Sequence, residues 1–246
     1  MILWENGLEL VIKFTMNEIK NYNMNIVKKP WGYEYLVYEN EDVALWFLYI
    51  SPNHSTSMHC HPKKTTGLVL LNGEAEISFL ADSRKLKSLD KVMIRRGLFH
   101  STKAISDTGA FIFEIETPND KQDLVRLNDQ YGRSHKPYED HSFEQKRTDE
   151  CLWIKEPCLN KINFYEFADC KITIETVDDI DTINKKKNED LIIFLKGGMV
   201  RIIENISHCV TIPGDVGFGN IIKQVSTKLD GVVPGTIILT IHKNEK

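Results

Sequence analysis

Residues Ser51–Gly73 read SPNHSTSMHCHPKKTTGLVLLNG, and the interpretation of the whole chain turns on them. His59 and His61 stand two apart, just behind a β-rich run. A strand sends residues i and i+2 to one face, so both imidazoles project the same way, about 6.7 Å apart along the backbone. That spacing suits two ligands of a single metal ion. A third histidine follows in Arg95-Arg96-Gly97-Leu98-Phe99-His100, where a glycine turn delivers it to the start of the next strand. Imidazole accepts several first-row metals, so the ligand type alone does not choose between Fe, Zn, Mn and Ni.

Working outward, Val43–Ile50 (VALWFLYI) is apolar at every position and bounded by acidic residues and Ser-Pro, which predicts a core strand buried on both faces. Asn72-Gly73 between two apolar runs is a strong hairpin signal. Gly109–Pro118 (GAFIFEIETP) alternates cleanly, with Phe111, Phe113 and Ile115 on one face and Ala110, Ile112, Glu114 and Glu116 on the other. Either the glutamates line a cavity, which would make Glu114 a candidate acid/base, or they sit outside. Charge on an alternating strand favours the outside. Cys60, between the two histidines, is expected to point to the opposite face and pack in the sandwich.

Residues 119–150 are the most charged part of the chain. Leu124, Val125, Leu127 and Tyr131 have a helical cadence that Gly132 would stop, so this segment is read as a helix and linker. Beyond it, strands are expected at Ile162–Phe167, Lys171–Val177, Leu191–Leu195, Met199–Ile203, Cys209–Ile212, Phe218–Gln224 and Thr236–Ile241. LKGGMVRI at 195–202 echoes LLNGEAEI at 70–77, as an internal repeat would. The second copy has no HxH and no histidine at the matching later turn.

The chain has 246 residues, 41% of them hydrophobic, enough for two domains. A net charge of -4 provides no basic footprint for nucleic acid. No apolar run reaches the roughly 18 to 20 residues needed to span a bilayer, and the N-terminus lacks a basic segment leading to an apolar core, so neither a membrane partner nor a secretory signal is expected. The five cysteines are odd in number and have no CxxC spacing, which fits a reduced, cytoplasmic setting. Residues 1–23 read as an extension, with Met24 as a plausible natural start.

HxH, the glycine at 73 and the later GxxH together resemble the cupins, whose first motif is HxH followed by an acidic residue and a glycine and whose second is PxGxxH. Lys28–Tyr35 (KKPWGYEY) resembles the entry segment of cupins related to type II mannose-6-phosphate isomerases. DLVRLNDQYGR followed by KPYE is similar to the tail of bacterial cupins found with polysaccharide and sugar-nucleotide genes. The resemblance implies an all-β chain of two tandem cupin barrels (double-stranded β-helix, or jelly roll) joined by a charged helical linker. The barrels would span 24–118, carrying the metal, and 151–246, a degenerate copy that packs against the first or completes a homodimer.

In the family the acidic ligand follows the second histidine after three or four intervening residues, at Thr65 or Thr66 here, so this chain departs from the four-ligand pattern. A three-histidine centre carries one negative charge fewer and better tolerates an anionic substrate. Lys63, Lys64, Arg95 and Arg96 are candidate anion-binding residues at the mouth, and His54 is a weak catalytic candidate beside Glu114. The resemblance favours isomerase or epimerase chemistry on a small phosphorylated or carboxylated sugar. The alternatives are a three-histidine Fe(II) dioxygenase and a non-catalytic carbohydrate- or metal-binding module.

Overall fold

A strand that is apolar at every position must be covered on both sides, and the architecture follows from that requirement. The computed structural model describes residue 22 and residues 25–133, 143–146, 148, 151–159 and 161–244. The extension at 1–23 lies, apart from Tyr22, outside the described residues.

The N-terminal half forms β1 (Asn25–Lys29), β2 (Gly32–Glu39), β3 (Ala44–Ile50), β4 (Met58–Cys60), β5 (Thr65–Gly73), β6 (Ala75–Phe79), β7 (Ser83–Leu86), β8 (Lys91–Ile94), β9 (His100–Ala104), β10 (Ala110–Thr117), β11 (Val125–Asn128) and β12 (Phe143–Lys146). They make a seven-stranded sheet ordered β12-β1-β2-β3-β10-β5-β8, facing a five-stranded sheet ordered β11-β4-β9-β6-β7. Every strand pairing among the described residues is antiparallel, as hairpins and long returns in a jelly-roll layout require. The strands remain two facing sheets rather than a closed barrel.

The sides of β3 divide as period 2 dictates. Ala44, Trp46, Leu48 and Ile50 point between the two sheets, where they meet Ala75, Ile77, Leu86 and Ala104. Leu45 and Phe47 point the other way, into a second core shared with the C-terminal half. That half contains β13 (Ile162–Phe167), β14 (Cys170–Val177), α1 (Ile180–Asn184), β15 (Leu191–Lys196), β16 (Met199–Ile203), β17 (Ile206–Cys209), β18 (Val216–Phe218), α2 (Gly219–Ser226), β19 (Gly231–Val232) and β20 (Thr236–Lys243). A five-stranded sheet, β13-β14-β20-β15-β18, lays Ile172, Ile174, Leu191, Ile193, Leu239 and Ile241 against the outer face of the large sheet. Its far face packs Ile192, Phe194 and Ile238 on Ile183 of α1 and Ile222 of α2. The fold is therefore layered, with the large N-terminal sheet in the middle and apolar on both sides.

Several local expectations are corrected. The segment read as a helix at 123–131 contains β11, an edge strand paired with β4, and its Val125 and Leu127 are about half exposed. Phe218–Gln224, read as a strand, is mostly helix α2: Ile222 and Ser226, four apart, are buried while Ile221, next to Ile222, is exposed. β17 lies at Ile206–Cys209, ahead of the expected 209–212. The echo of 70–77 at 195–202 holds as strand, glycine turn, strand, and among the described residues the C-terminal strands form one five-stranded and one three-stranded sheet. At the KPWG entry, Gly32 has φ +147, and a Cβ there would lie 1.9 Å from the Tyr49 carbonyl oxygen, so this bend requires glycine. No helix among the described residues is long and apolar enough to cross a membrane.

Candidate functional site

The space between the two N-terminal sheets is apolar at one end and charged at the other, and the register shows why. Across the large sheet, Leu48, Ile112 and Leu70 face one another on one rung. Two residues further along the strands, Trp46, Glu114 and Leu68 align, and beyond them Ala44, Glu116 and Thr66. Each strand keeps its inward phase while its sequence turns polar, which opens a cleft where the apolar filling stops.

His59 and His61 enter this cleft from β4 and the residue that follows it, and His100 from β9 stands directly opposite His59 in the ladder. The ring centroids lie 4.4 to 5.4 Å apart, and one ligand nitrogen from each ring falls within 4.8 Å of the others. Each Nδ1 sits on a backbone carbonyl: His59 on Ser57 at 2.7 Å, His61 on Asp123 at 2.6 Å and His100 on Leu98 at 3.0 Å. A carbonyl can only accept, so Nδ1 carries the proton in all three rings and Nε2 offers its lone pair to the centre. Burial pushes the His61 imidazole down to about 3 and the His100 imidazole to about 4, and the nearby Lys64 ammonium adds to both shifts. Burial also holds His59 well below its usual range, followed by its two histidine neighbours, so the set stays neutral and ready to ligate.

The fit to a metal has an internal test. Nε2 of His61 is fully buried without a hydrogen-bond partner, and such an orphan costs about 1–3 kcal/mol unless something takes its lone pair. A divalent cation held by His59, His61 and His100 would take it. Among the described residues this is the group of histidine, cysteine and acidic side chains that could hold one.

Beside the triad lies a buried ionic network. Lys121 Nζ reaches Glu34, Glu114 and Glu116 at 3.3 to 3.5 Å and rests 3.8 Å from the Trp46 ring centre. Lys64 Nζ donates to Glu116 Oε1 at 2.7 Å and to the Asp120 carbonyl at 3.1 Å, and Lys29 approaches Glu34 at 3.6 Å. Burial raises the Glu114 carboxyl, against the pull of Lys121. Burial would raise Glu116 as well, but Lys121 and Lys64 together outweigh it and hold that carboxyl low. Two carboxylates two residues apart are thus driven in opposite directions by their environments.

The glutamates therefore face inward, against the expectation that they sit outside. The large sheet has no solvent face where they stand, because the C-terminal half covers its other side through Phe113 and Ile115. Of the proposed anion-binding residues, Lys64 lines the cleft, whereas Lys63, Arg95 and Arg96 are exposed and absent from its lining. His54 is exposed too, with Nδ1 on the Pro52 carbonyl. The cleft encloses about 60 Å³. Its lining includes Lys29, Glu34, Lys121, Arg126 and Arg133, none of them singled out from the sequence. Arg126 comes from β11 directly opposite His59, and Arg133 is gripped by Asp129 through Nη2–Oδ1 at 2.7 Å and Nε–Oδ2 at 3.1 Å.

Cys60 turns away from the triad and is buried, and burial raises its thiol, with the Asp123 carboxylate adding to the shift. Labelling by a thiol reagent in the native state is expected to be far slower at Cys60 than at the exposed Cys158 and Cys209. Peptide mapping of a labelling time course checks this, and equal rates at the three sites would contradict the strand assignment.

No protein-family model and no curated protein matches the sequence. Among solved structures, the chain is similar to the capsular polysaccharide assembling protein CapF of Staphylococcus aureus, with 18% identity and a TM-score of 0.39, covering 43% of this chain and 34% of CapF. It is similar to KdgF from Halomonas sp., with 15% identity and a TM-score of 0.37 over 41% of this chain and 94% of KdgF. A protein with a double-stranded beta-helix domain from Klebsiella pneumoniae matches at 18% identity and a TM-score of 0.36, over 39% of this chain and 84% of that one. Similarity at this level assigns no activity. Two facing antiparallel sheets, HxH on one strand and its partner histidine across the ladder on the next give the N-terminal half a cupin-type architecture, the one its motifs resemble.

Proposed function

We propose that the chain is a metal-dependent cupin that transfers a proton on a small anionic substrate of the sugar-phosphate or sugar-acid kind, in isomerase or epimerase fashion. One observation carries the reading: His59, His61 and His100 bring one ligand nitrogen each within 4.8 Å of the others, beside a cleft whose walls hold lysines, arginines and buried glutamates. Bound there, a divalent metal would supply a Lewis acid that polarises a substrate carbonyl. Glu114 carries the proton, since burial lifts its carboxyl toward the range in which a group both takes and gives one. Lys121 holds that carboxylate in place at 3.5 Å, while Trp31, Leu48 and Leu124 exclude water from the cleft. Arg126 and Lys64 attract the anionic group.

A second reading is oxygen chemistry at Fe(II), favoured by one feature, a ligand set of three neutral imidazoles with no carboxylate in it. The test takes purified protein through metal analysis and then two assays. Solvent deuterium entering a hexose phosphate, and failing to do so in Glu114→Gln, supports the proposal. Oxygen uptake with iron and a thiol but no exchange supports the second reading. A chain with no stoichiometric metal would be a binding module, and both enzyme readings would fall.

A further inference from the structure

Three buried polar atoms at the charged end of the cleft have no hydrogen-bond partner: His61 Nε2, Thr66 Oγ1 and Glu116 Oε2. They are neighbours. Thr66 and Glu116 are directly opposite on β5 and β10, which places their β-carbons about 4.5–5.5 Å apart on the same inward face. Glu116 and His61 line the same cleft. Glu116 is 1% exposed and spends only Oε1 on Lys64 and Lys121, leaving a carboxylate oxygen dry and unused beside the triad. A site that buries an acceptor without a donor is built for something the chain itself does not provide.

We propose that Glu116 is the anionic partner of the metal centre, acting from β10 where β5 has only Thr66. Its Oε2 faces the cation held by His59, His61 and His100 from just outside that set, and its negative charge raises the centre's affinity for a dication. Lys64 opposes this. Its side chain lines the cleft with His59 and His61, and its ammonium is bonded to the same carboxylate. Glu116 and Lys64 thus form a charge pair that sets how tightly the metal is held: the carboxylate favours the ion and the ammonium disfavours it. Glu116 is a positioning residue here, with no contact to a reacting atom.

This inference rests on the proposed metal centre, and the experiment separates the two. Zinc affinity of the full chain is measured by competition with a chromophoric chelator for wild type, Glu116→Gln, Lys64→Met and the double variant. Loss of an outer carboxylate partner is expected to weaken zinc binding about 10–100-fold, and Lys64→Met is expected to bind more tightly than wild type. The double variant leaves no unpaired buried lysine at position 64, so it keeps the question answerable if Glu116→Gln alone fails to fold. It should bind at least about tenfold more weakly than Lys64→Met. Equal affinity of Lys64→Met and the double variant overturns the inference and leaves the centre standing. Absence of zinc binding by wild type overturns the centre itself.

Discussion

A chain carrying His61→Ala is expected to retain no stoichiometric divalent metal while unfolding within about 1 kcal/mol of the metal-free parent. The two halves of that expectation come from different parts of the structure. Metal binding needs three Nε2 atoms within 4.8 Å of one another, and removing one leaves two imidazoles for a cation that expects at least three protein ligands. Folding draws instead on the apolar clusters built around Trp46, Phe47, Leu70 and Phe113, none of which includes His61. What His61 gives the fold is one hydrogen bond to the Asp123 carbonyl, worth about 0.5–1.5 kcal/mol. Asp123 stays tethered through its carboxylate, which accepts from the backbone N–H groups of Lys63 and Lys64. A chelator then separates the proteins. At a free metal concentration of about a thousand times Kd, the parent gains about 4 kcal/mol that chelation removes, and the variant has nothing to lose. Thermal melts with and without chelator, beside metal analysis, read both effects. Stoichiometric metal in the variant would show that the triad is not the ligand set.

The second large effect is at Lys121. Lys121→Met keeps the length of the side chain and its packing on Trp46 but leaves Glu34, Glu114 and Glu116 without their shared cation. Breaking a buried pair from one side typically costs about 3–5 kcal/mol, because the stranded charge has neither water nor partner. The pH dependence gives the cause away. In the parent, Glu116 titrates below its unfolded value, so its contribution is present above the unfolded pKa and fades as pH falls toward the folded one. In the variant, Glu114, already raised by burial in the parent, loses the opposing pull of Lys121 and rises further, while Lys64 still holds Glu116. The folded chain then binds more protons than the unfolded one, and stability declines as pH rises past the unfolded carboxylate pKa of about 4.3. Urea unfolding at pH 5 and pH 8 should find the variant's deficit larger at pH 8. A deficit independent of pH would mean that packing, not charge, is what Lys121 supplies.

How much of this could be read from residues alone depended on whether the signal was local. HxH and the later GLFH are short spacings on strands, and the triad they imply assembles. VALWFLYI predicted a strand buried twice over, which β3 is. The ionic network was illegible because Lys29, Glu34, Glu114, Glu116 and Lys121 are joined by strand register across some ninety residues. GAFIFEIETP did announce two faces, but period 2 cannot say which one is inside. The usual guide, that charge marks the solvent side, fails for a sheet with protein on both sides. The misread helix at 123–131 has the right apolar spacing, yet no surface offers itself to a helical stripe there, and the unpaired edge of β4 captures the segment as β11 instead. At 218–224, read as a strand, tertiary packing of Ile222 on Phe194 and Ile238 chose a helix.

The shared core between the large sheet and the C-terminal half bears on how the protein could be dissected. Phe47, Phe113 and Phe167 interlock at centroid distances of 5.0 to 6.2 Å, and Asn40 reaches across to the Leu195 carbonyl at 2.9 Å. Residues 25–133 released on their own would show water a broad aromatic wall, the sort of surface that draws molecules into aggregates. The ligand-free half thus earns its place as cladding, and minimal metal-binding fragments of this chain would need that wall repainted with polar residues before they could stay in solution.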